Sequence, residues 1–383
     1  MEQLQLIATT AFGLEAVVSR ELEALGYSER TVSDGRVEFS GDAEAVARAN
    51  LWLRSADRVL VRLAAFEVRD FGELFDRVTE LPWAEWLTED AKFPVRARCV
   101  RSQLASEPDT QAITKKAVVE SLKRNWPRDW FEETGAEFPI DVSIRKDQAV
   151  VTLDTTGRGL HRRGYRTWTG GAPLRETLAA ALVQLSFWEA GRVLADPCCG
   201  TGTILVEAAW IGQNRAPGLG RSFLAEHWPF VENRVWERAR QEAMDCQVRL
   251  PDAPLLGSDR DPEVLELGRR NVEQAGLAGV ISFEQRSVAD FNCHHKYGCL
   301  VTNPPYGERM GEREEAEELY RGLGRIARRL DTWSLYTLTS HRGFERIFGE
   351  QSGRQGDVRR RKLFNGPIEC TYYQFPGPRP PWT

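Results

Sequence analysis

The stretch Asp196-Pro197-Cys198-Cys199-Gly200-Thr201-Gly202-Thr203 follows a short apolar run, Val193–Ala195, and precedes a helix-like run that begins at Ile204. Glycines at this place let the backbone turn sharply into the helix and approach a ligand closely. Open α/β sheets bind nucleotide-like ligands at such a turn, where the first strand ends. The stretch therefore predicts an α/β fold with a ligand site at this loop.

Two common glycine loops do not fit this stretch. Gly200 and Gly202 supply the first two glycines of the pattern G-x-G-x-x-G, but Leu205 stands where the third is needed. The Lys-Ser/Thr pair of a phosphate-binding loop is missing as well. The residues themselves therefore disfavour binding of NAD or ATP.

Around this loop, strand-like runs alternate with helix-like runs from residue 172 onward, which predicts a mostly parallel sheet. The predicted strands are Val193–Asp196, Leu255–Asp259, Val280–Glu284, Cys299–Thr302, Leu335–Thr339, Arg359–Phe364 and Glu369–Phe375. The last two flank Asn365-Gly366, a strong turn signal, so we expect an antiparallel hairpin at the end of the sheet.

Carboxylates follow the second and third predicted strands. Asp259 ends the second strand, where a carboxylate can accept hydrogen bonds from both hydroxyls of a ribose. Asp261, which precedes Pro262, is typical of a helix N-cap instead. Asp290 follows the third strand and would lie beside an adenine amino group. We therefore expect Asp259 and Asp290 to bind a nucleoside.

The fourth predicted strand ends in Asn303-Pro304-Pro305-Tyr306. The prolines restrict the backbone, so the Asn303 amide and the Pro304 carbonyl can be held as acceptors at the ligand edge of the sheet. An exocyclic base amine is a poor nucleophile, because its lone pair is delocalised into the ring. Two acceptors on its N–H bonds favour a pyramidal nitrogen in line with an electrophilic methyl group, and Tyr306 can stack on the base. These residues indicate methyl transfer to a base amine, without a metal or a covalent nucleophile.

The residues before 156 predict an α+β module. Its strands are expected at Leu4–Ala8, Val37–Phe39, Arg58–Phe66, Phe93–Val100, Ile140–Ile144 and Ala149–Leu153, and its helices at Leu14–Leu25, Ala43–Leu53, Phe71–Thr79 and Thr110–Trp126. The last helix carries Lys115 and Lys116 on its polar face, which makes this face a candidate surface for a polyanion.

The net charge of −5 is unevenly distributed. Residues 1–92 carry 10 basic and 18 acidic side chains, residues 93–167 carry 14 and 10, and residues 168–383 carry 27 and 28. A basic middle segment in a protein with a pI of about 5.8 is what a local phosphate-binding face would produce. Ordinary fluctuation over windows of this size explains the charges equally well.

Residues 156–171 form a basic, glycine-rich segment between the two modules. It contains five glycines and, among its basic residues, Arg162, Arg163 and Arg166. A solvated, flexible linker is one interpretation of this composition. Because the segment lies where two modules meet, we favour the interpretation that its arginines bind a phosphate backbone.

Three motifs resemble those of one known family: Leu160-His161-Arg162-Arg163-Gly164-Tyr165-Arg166, Ala172-Pro173-Leu174-Arg175-Glu176-Thr177-Leu178-Ala179 and Asn303-Pro304-Pro305-Tyr306-Gly307-Glu308-Arg309. They look like the THUMP-containing RNA guanine-N2 methyltransferases, class I enzymes that depend on S-adenosylmethionine and include the bacterial 23S ribosomal RNA enzyme. The resemblance implies a ferredoxin-like domain over residues 1–62 and a THUMP RNA-binding domain over 63–155. A Rossmann-like methyltransferase domain would follow the linker, over 172–383.

The resemblance also implies roles for single residues. Asn303, Pro304 and Tyr306 would handle the base amine. The residues implied to bind S-adenosylmethionine are Asp196, Cys199, Gly200, Thr201, Gly202, Asp259 and Asp290, the last because Ser287 stands where many class I enzymes have an acid. Pro217–Phe223 is similar to a segment of the same family, so we expect Gly212–Trp236 to be a lid or an RNA contact near the site.

The implied activity is methyl transfer to the N2 amine of a guanine in structured RNA, with 23S ribosomal RNA as the first expectation. A tRNA guanine-N2 methyltransferase is an alternative, because THUMP domains occur on both kinds of enzyme. A DNA adenine-N6 methyltransferase shares the Asn-Pro-Pro-Tyr motif. A catalytically silent RNA-binding assembly factor is the alternative from a different class.

Composition narrows the remaining possibilities. Hydrophobic residues make up 42% and charged residues 28% of the chain, and the mean hydropathy is −0.44, which is typical of soluble globular proteins. Since no run of eighteen apolar residues and no secretory signal is visible, we expect no membrane partner. Seven scattered cysteines indicate a reducing compartment, so we expect the cytoplasm. Cys293-His294-His295 lacks a second ligand pair, so we expect no metal.

Overall fold

The computed structural model describes residues 3–128, 130–166, 174–307, 312–354 and 358–381. In these residues the chain forms two seven-stranded β-sheets, each packed against helices. The first sheet is mostly antiparallel and is built from residues before 156. The second is mostly parallel and is built from residues after 174.

The first sheet has the strand order β2-β3-β1-β4-β7-β6-β5, and all neighbouring pairs are antiparallel except β5 and β6. Its strands are β1 (Leu4–Thr9), β2 (Arg30–Ser33), β3 (Arg36–Gly41), β4 (Arg58–Glu67), β5 (Val95–Val100), β6 (Ile140–Arg145) and β7 (Gln148–Asp154). Its helices are α1 (Glu15–Ala24), α2 (Ala43–Trp52), α3 (Phe71–Thr79), α4 (Trp83–Trp86) and α5 (Glu107–Leu122). Alternate apolar side chains of the strands pack with α1, α2, α3 and α5 in one hydrophobic core.

The second sheet has the order β10-β9-β8-β11-β12-β14-β13. Its strands are β8 (Leu194–Asp196), β9 (Leu255–Asp259), β10 (Ile281–Gln285), β11 (Cys299–Thr302), β12 (Ser334–Thr339), β13 (Arg359–Asn365) and β14 (Ile368–Phe375). Its helices are α6 (Glu176–Gln184), α7 (Thr203–Gly212), α8 (Asn233–Asp245), α9 (Pro262–Gln274), α10 (Glu312–Arg329) and α11 (Phe344–Ser352), with single 3₁₀ turns at Leu224–His227 and Val288–Asp290. The first five strands in this order are parallel, and β14 is antiparallel to both its neighbours. The predicted fold class, a mostly parallel sheet with a C-terminal hairpin behind an α+β module, is confirmed.

Two core clusters lie on opposite faces of the second sheet. One contains residues of α6, α7 and α9, and the other contains residues of α10 and α11. Neighbouring strand residues divide between them: Leu194 packs in the first cluster and Ala195 in the second. This period of two is what a parallel sheet covered by helices on both faces requires.

The helix predicted at Thr110–Trp126 is displaced toward the N-terminus, because α5 spans Glu107–Leu122. The side chain of Ser106 accepts a hydrogen bond from the backbone N–H of Asp109, and Pro108 stands in the first turn. A serine N-cap followed by proline is a favourable helix start. It therefore fixes the beginning of the helix earlier than the apolar periodicity suggests.

The expected division between residues 62 and 63 falls within β4. This strand pairs with β1 on one side and with β7 on the other, with an irregularity between Arg62 and Ala64. The two predicted N-terminal domains thus share one continuous sheet. We keep the boundary as a proposal for where one sequence module ends and the next begins.

The expectation that Gly212–Trp236 forms a lid is wrong, while an RNA contact by this segment stays a prediction. Phe223, Trp228 and Trp236 are buried in the core of the first sheet. The ring of Trp228 stacks on Phe138 at 4.9 Å, and its indole N–H donates to the Glu137 carbonyl at 2.9 Å. Burial of a tryptophan side chain stabilises the folded state by several kcal/mol, so the packing of this segment holds the methyltransferase half of the chain against the N-terminal module.

Other contacts fix the two halves against each other. Arg48 of α2 forms a bidentate ion pair with Glu242 of α8, with N–O distances of 2.8 and 2.9 Å. The buried Arg54 guanidinium donates to the carbonyl of Arg215 at 2.7 Å. In the reverse direction, Leu14 of the N-terminal module is buried in the core of the second sheet. The N-terminal module is therefore held in a defined position beside the second sheet.

Candidate functional site

The order of the second sheet reverses between β8 and β11, and the crevice at this point is where open α/β sheets bind ligands. Asp196 ends β8 and Thr302 ends β11, and the Thr302 hydroxyl donates to Asp196 Oδ1 at 2.6 Å. The N–H of Cys198 donates to the same oxygen at 3.1 Å. Burial raises the pKa of Asp196 to about 7, and these two hydrogen bonds oppose the rise. The floor of the crevice thus contains a buried carboxyl group that titrates near neutral pH.

The glycine loop leads from β8 into α7 and contacts the end of β9. Gly200 and Gly202 have φ values of +52° and +79°, which favour glycine, and a Cβ on Gly202 would lie 2.7 Å from the ring of Phe283. The N–H of Gly200 donates to Asp259 Oδ2 at 3.0 Å, and the N–H of Asp261 donates to Asp259 Oδ1 at 3.1 Å. Asp259 therefore supports the loop while each of its oxygens keeps a lone pair for a ligand. Asp261 caps α9, as its sequence predicts.

The residues at this edge fit the chemistry of S-adenosylmethionine. A Cβ on Gly200 would meet no protein atom nearer than Val264 Cγ1, at 3.9 Å, so the space beside the loop is open. A carboxylate at the end of β9 suits a ribose, and a buried acid under the loop suits a cation. Asp196, Gly200, Gly202 and Asp259 are therefore brought to one place. Cys199 and Thr201 lie in the same loop, buried against the protein.

Neither cysteine of the loop is a candidate nucleophile. Burial raises the pKa of the Cys198 and Cys199 thiols well above the ordinary value, and the neighbouring acids Asp196 and Asp259 raise it further. A thiol with a raised pKa stays protonated and unreactive. Both are free cysteines.

Asp290 lies in the 3₁₀ turn after β10, next to the strand that ends in Asp259. Its side chain is exposed. The turn is fastened to α10, because the Arg329 guanidinium donates to the carbonyls of Ala289 and Phe291 at 3.2 and 2.6 Å. The turn is in the expected region of the sheet edge, and a contact of Asp290 with adenine stays a prediction.

The Asn-Pro-Pro-Tyr motif begins directly after β11, across the crevice from the glycine loop. The Tyr306 hydroxyl donates to Asn303 Oδ1 at 2.6 Å, and the side-chain amide of Asn365 donates to the Tyr306 oxygen at 3.3 Å. Burial raises the pKa of Tyr306 well above its ordinary value, with Cys370 as a further cause. The phenol is therefore a neutral donor that holds the amide oxygen of Asn303 in place.

The two prolines of the motif differ in their surroundings. The hydroxyl of the fully buried Tyr320 donates to the Pro305 carbonyl at 2.9 Å and contacts the Thr339 hydroxyl at 3.0 Å. No described residue donates a hydrogen bond to the Pro304 carbonyl. Tyr320 thus anchors the turn from behind, and the acceptor expected at Pro304 is not used within the described protein.

Sequence reasoning missed three residues that organise this site: Thr302, Tyr320 and Asn365. Thr302 is the last residue of a strand, a position at which strand propensity alone accounts for a threonine. In the sequence Asn365 is only half of a turn signal, and Tyr320 lies within a helical pattern. Only the packing of α10 and of the β13–β14 hairpin brings the last two to the motif.

The predicted phosphate-binding arginines of the connecting segment divide into two groups. The structure contradicts the expectation for Arg163, because its guanidinium is buried, donates to the Leu160 carbonyl at 2.7 Å and faces Glu207 at 3.5 Å. It also contradicts the expectation for Arg166, which lies 3.5 Å from Glu176 and donates to the Thr203 hydroxyl at 2.6 Å. Burial requires such charges to be paired, so both guanidinium groups serve the packing of the segment.

Arg162 is exposed, and it belongs to a group that we call the connector cluster: Arg158, Arg162, Arg175 and Arg221. The Arg221 guanidinium donates to the carbonyls of Gly159 and Arg162 at 2.7 and 3.1 Å. Burial and the neighbouring arginines lower the pKa of Arg221 to about 10 and that of His161 to about 4. The connector cluster is therefore a concentration of positive charge.

The two lysines of α5 are less alike than the sequence suggests. Lys115 is engaged, since its ammonium lies 2.5 Å from Glu133 Oε1 and 3.0 Å from the Phe93 carbonyl. Lys116 is exposed, with its ammonium 5.6 Å from the ring of Phe75. Their contact with RNA stays a prediction. Residues 167–173, 308 and 309 of the predicted linker and motifs lie outside the described residues.

Among the described residues, none of the helices combines the length and the apolar character that a membrane-spanning helix requires. Nor do the described residues gather three or more His, Cys, Asp or Glu side chains where they could hold a metal ion.

Comparison with known proteins finds three matching domains along the chain. A model described as an RlmL ferredoxin-like domain matches residues 5–60, a THUMP domain matches 68–154, and an RMKL-like methyltransferase domain matches 163–374. The chain is 47% identical over 377 residues to the "Putative RNA methyltransferase YpsC" of Bacillus subtilis (strain 168). This alignment covers 98% of this chain and 96% of that protein.

Solved structures of similar proteins share the whole architecture. One is a protein from Listeria monocytogenes str. 4b F2365, described as a predicted N6-adenine-specific DNA methylase. It has 46% sequence identity and a TM-score of 0.92, and the superposition covers 99% of this chain and 97% of the Listeria chain. SMU.472, described as "a putative methyltransferase complexed with SAH", has 42% identity and a TM-score of 0.92 and covers 99% of this chain and 100% of its own. The chain thus belongs to the family of THUMP-containing RNA methyltransferases, class I enzymes whose cofactor is S-adenosylmethionine.

Proposed function

We propose that this protein transfers a methyl group from S-adenosylmethionine to the exocyclic N2 amine of a guanine in structured RNA, with 23S ribosomal RNA as the first substrate to test. The observation that carries the proposal is the position of Asn303 and Tyr306. They lie at the reversal point of the sheet, across the crevice from the loop of Gly200 and Gly202. A base amine held by Asn303 would therefore face the cofactor.

When bound, S-adenosylmethionine would supply an electrophilic methyl group and leave as S-adenosylhomocysteine, and the methylated amine would give up one proton to solvent. Asn303 Oδ1 would accept one N–H of the amine, which orients the nitrogen lone pair. We assign the second N–H to the Pro304 carbonyl. Tyr306 is a neutral phenol because burial raises its pKa, so it donates and does not act as a base.

Entry of a base leaves the hydrogen bond of Tyr306 in place. In this structure Asn303 Oδ1 already accepts from Tyr306. A carbonyl oxygen has two lone pairs, so the amine can add to this bond. The hydroxyl then keeps the amide oxygen of Asn303, and not its NH₂ group, turned toward the base.

Two features support RNA as the substrate. The relative YpsC carries RNA in its name, and the THUMP domain is shared across the family. The connector cluster lies between the THUMP domain and the methyltransferase sheet, where a phosphate backbone would cross from one to the other. We also propose a cytoplasmic location, since all seven cysteines are free.

The decisive experiment is methylation of total RNA from a strain that lacks this protein, with radiolabelled cofactor, followed by nuclease digestion and nucleoside mass spectrometry. We expect labelled N2-methylguanosine in the 23S ribosomal RNA fraction. Label in the tRNA fraction alone would show that tRNA, and not 23S ribosomal RNA, is the substrate. DNA of the same strain is assayed in parallel, and label only in its N6-methyladenine, as the name of the Listeria relative suggests, would refute guanine as the substrate.

A further inference from the structure

The end of β13 carries an aromatic and basic surface that the proposed function leaves unused. This edge strand begins with Arg359-Arg360-Arg361-Lys362 and ends with Phe364 and Asn365. It runs antiparallel to β14, which is antiparallel to β12, so its last residue lies at the same sheet edge as the site. Asn365 confirms this position, because its amide donates to the hydroxyl of Tyr306.

An exposed phenylalanine of the N-terminal module lies against this surface. The side chain of Phe12 is 49% exposed, and its ring contacts that of Phe364 edge to face, with 5.9 Å between the centroids. A single exposed phenylalanine is common on protein surfaces, but here two rings pack together next to Asn365, at the sheet edge of the site. The exposed ring is therefore a candidate contact for a ligand.

The position of Phe12 is fixed by the residues that follow it. Gly13 has a φ of +93°, and a Cβ there would lie 2.6 Å from the Lys362 carbonyl oxygen. The N–H of Gly13 donates to the carboxylate of Glu15 at 2.8 Å, and Leu14 is buried in the core of the second sheet. Only glycine permits this close approach, and the result is a rigid loop that presents Phe12 beside β13.

Phe364 and Asn365 lie on opposite faces of the edge strand, because neighbouring strand residues alternate. The aromatic pair is thus separated from Asn303 by Asn365 and Tyr306, around the edge of the sheet. A base that is turned into the site leaves its chain neighbour unstacked at the rim. The rings of Phe12 and Phe364 are placed where that neighbour would pass.

Cations lie beside the aromatic pair. Arg360 is paired with Glu345, and Lys362 with Glu369 at 2.5 Å. The Lys362 ammonium also lies 5.4 Å from the ring of Phe364. Arg359 and Arg361 lie on the opposite face of the strand. Aromatic rings interleaved with cations are typical of surfaces that bind single-stranded nucleic acid.

We propose that Phe12 and Phe364 form a stacking platform for the unpaired RNA base next to the target guanosine. The inference rests on the proposed function, since it specifies how the same site holds its substrate. It gives the N-terminal module a direct part in substrate binding, beyond that of the THUMP domain.

The test compares Phe12→Ala with Phe12→Trp, which keeps a ring, and with Phe12→Leu, which keeps only apolar contact with Phe364. With total RNA from a strain lacking this protein, we expect KM for RNA to rise roughly 5- to 100-fold in Phe12→Ala and Phe12→Leu, because stacking on one base has about this effect. Phe12→Trp should restore the KM. The turnover number and the affinity for S-adenosylhomocysteine should change little.

The matched control is Met244→Ala on α8, which removes another apolar side chain with the same 49% exposure. Equal effects of Phe12→Ala and Met244→Ala, or a normal KM in Phe12→Leu, would overturn the platform. A second readout is independent of methylation: a single-stranded RNA with 2-aminopurine beside its one guanosine should be quenched by the normal protein and less by Phe12→Ala. Quenching without any N2-methylguanosine would reject the proposed reaction and keep the platform.

Discussion

The hydroxyl of Tyr306 donates a 2.6 Å hydrogen bond to Oδ1 of Asn303, so the amide is oriented before any base enters the site. Asparagine has an acceptor and a donor end of nearly equal size, and only the acceptor end can grip an amine N–H. The hydrogen bond from Tyr306 fixes which end of the Asn303 amide is its acceptor and so which end is left toward the base. We therefore assign its hydroxyl a positioning role in addition to the stacking role of its ring.

Replacement of Tyr306 by phenylalanine should separate these two roles. The ring remains, while the amide of Asn303 becomes free to rotate. Because one hydrogen bond of this kind contributes about 1 kcal/mol, we expect the turnover number to fall roughly 2- to 12-fold with KM for S-adenosylmethionine unchanged. Single-turnover kinetics measures the effect. Full activity in Tyr306→Phe would show that another contact orients Asn303.

Asn303→Ala and Asp259→Ala should have opposite consequences. Asn303 has no described contact with the glycine loop, so its loss should abolish methyl transfer and leave cofactor affinity nearly intact. Asp259 accepts from the Gly200 N–H and faces the open space beside the loop, so its loss should weaken cofactor binding at least tenfold. Calorimetry with S-adenosylhomocysteine compares the two variants. Equal loss of binding in both would refute this division.

Asp196 should make the stability of the cofactor-free protein depend on pH. Its pKa is about 7 in the folded protein and near 4 in the unfolded chain, so between these values the folded state binds more protons. Stability contributed by this group therefore decreases as pH rises from 4 to 7. Asp196→Asn removes the effect, so its stability relative to the normal protein should increase by about 1 to 3 kcal/mol from pH 5 to pH 8.

Urea unfolding at both pH values measures this difference. Asp141, whose pKa burial raises to about 6, is present in both proteins, so its contribution cancels. The same variant should bind S-adenosylmethionine more weakly at pH 8, where the normal protein offers a carboxylate. A relative stability that does not change with pH would assign the titration to a different group.

The connector cluster is tested by salt dependence. Replacing Arg158 and Arg162 by glutamine should reduce the slope of log affinity against log salt by about one unit for each phosphate that the variant no longer neutralises. Arg249→Gln is a suitable control, because Arg249 is an exposed arginine of the methyltransferase half outside the cluster. Filter binding to total RNA at several salt concentrations provides the slopes. Equal slopes in the double variant and the control would show that the connector cluster does not neutralise RNA phosphates.

Trp228→Ala should destabilise the protein by about 3 to 5 kcal/mol, because it empties a fully buried site between Phe138 and the backbone of Glu137. Thermal unfolding measures the loss. If the segment were a lid, the variant would instead keep its stability and change the rate of methylation. The exposed Met244→Ala on the neighbouring α8 is the matched control and should be near neutral.

The alternation of strands and helices and the loop from Asp196 to Thr203 were sufficient to predict the fold class and the crevice. Strand periodicity and turn chemistry are local properties, and the order of polar residues at strand ends places them at one sheet edge. The same logic brought Asp259 and Asn303 to opposite sides of the crevice. These parts of the site depend on short stretches of chain.

Packing between distant segments decided the rest. The arginines of residues 156–166 look alike in the sequence, but Arg163 meets Glu207 and Arg166 meets Thr203 and Glu176 only after the connecting segment packs against α6 and α7. The segment Gly212–Trp236, for which the sequence predicted a lid, carries tryptophans that are buried in the core of the N-terminal module. Burial of a charge or a ring depends on neighbours that are distant in the chain, and composition within one segment contains no information about them.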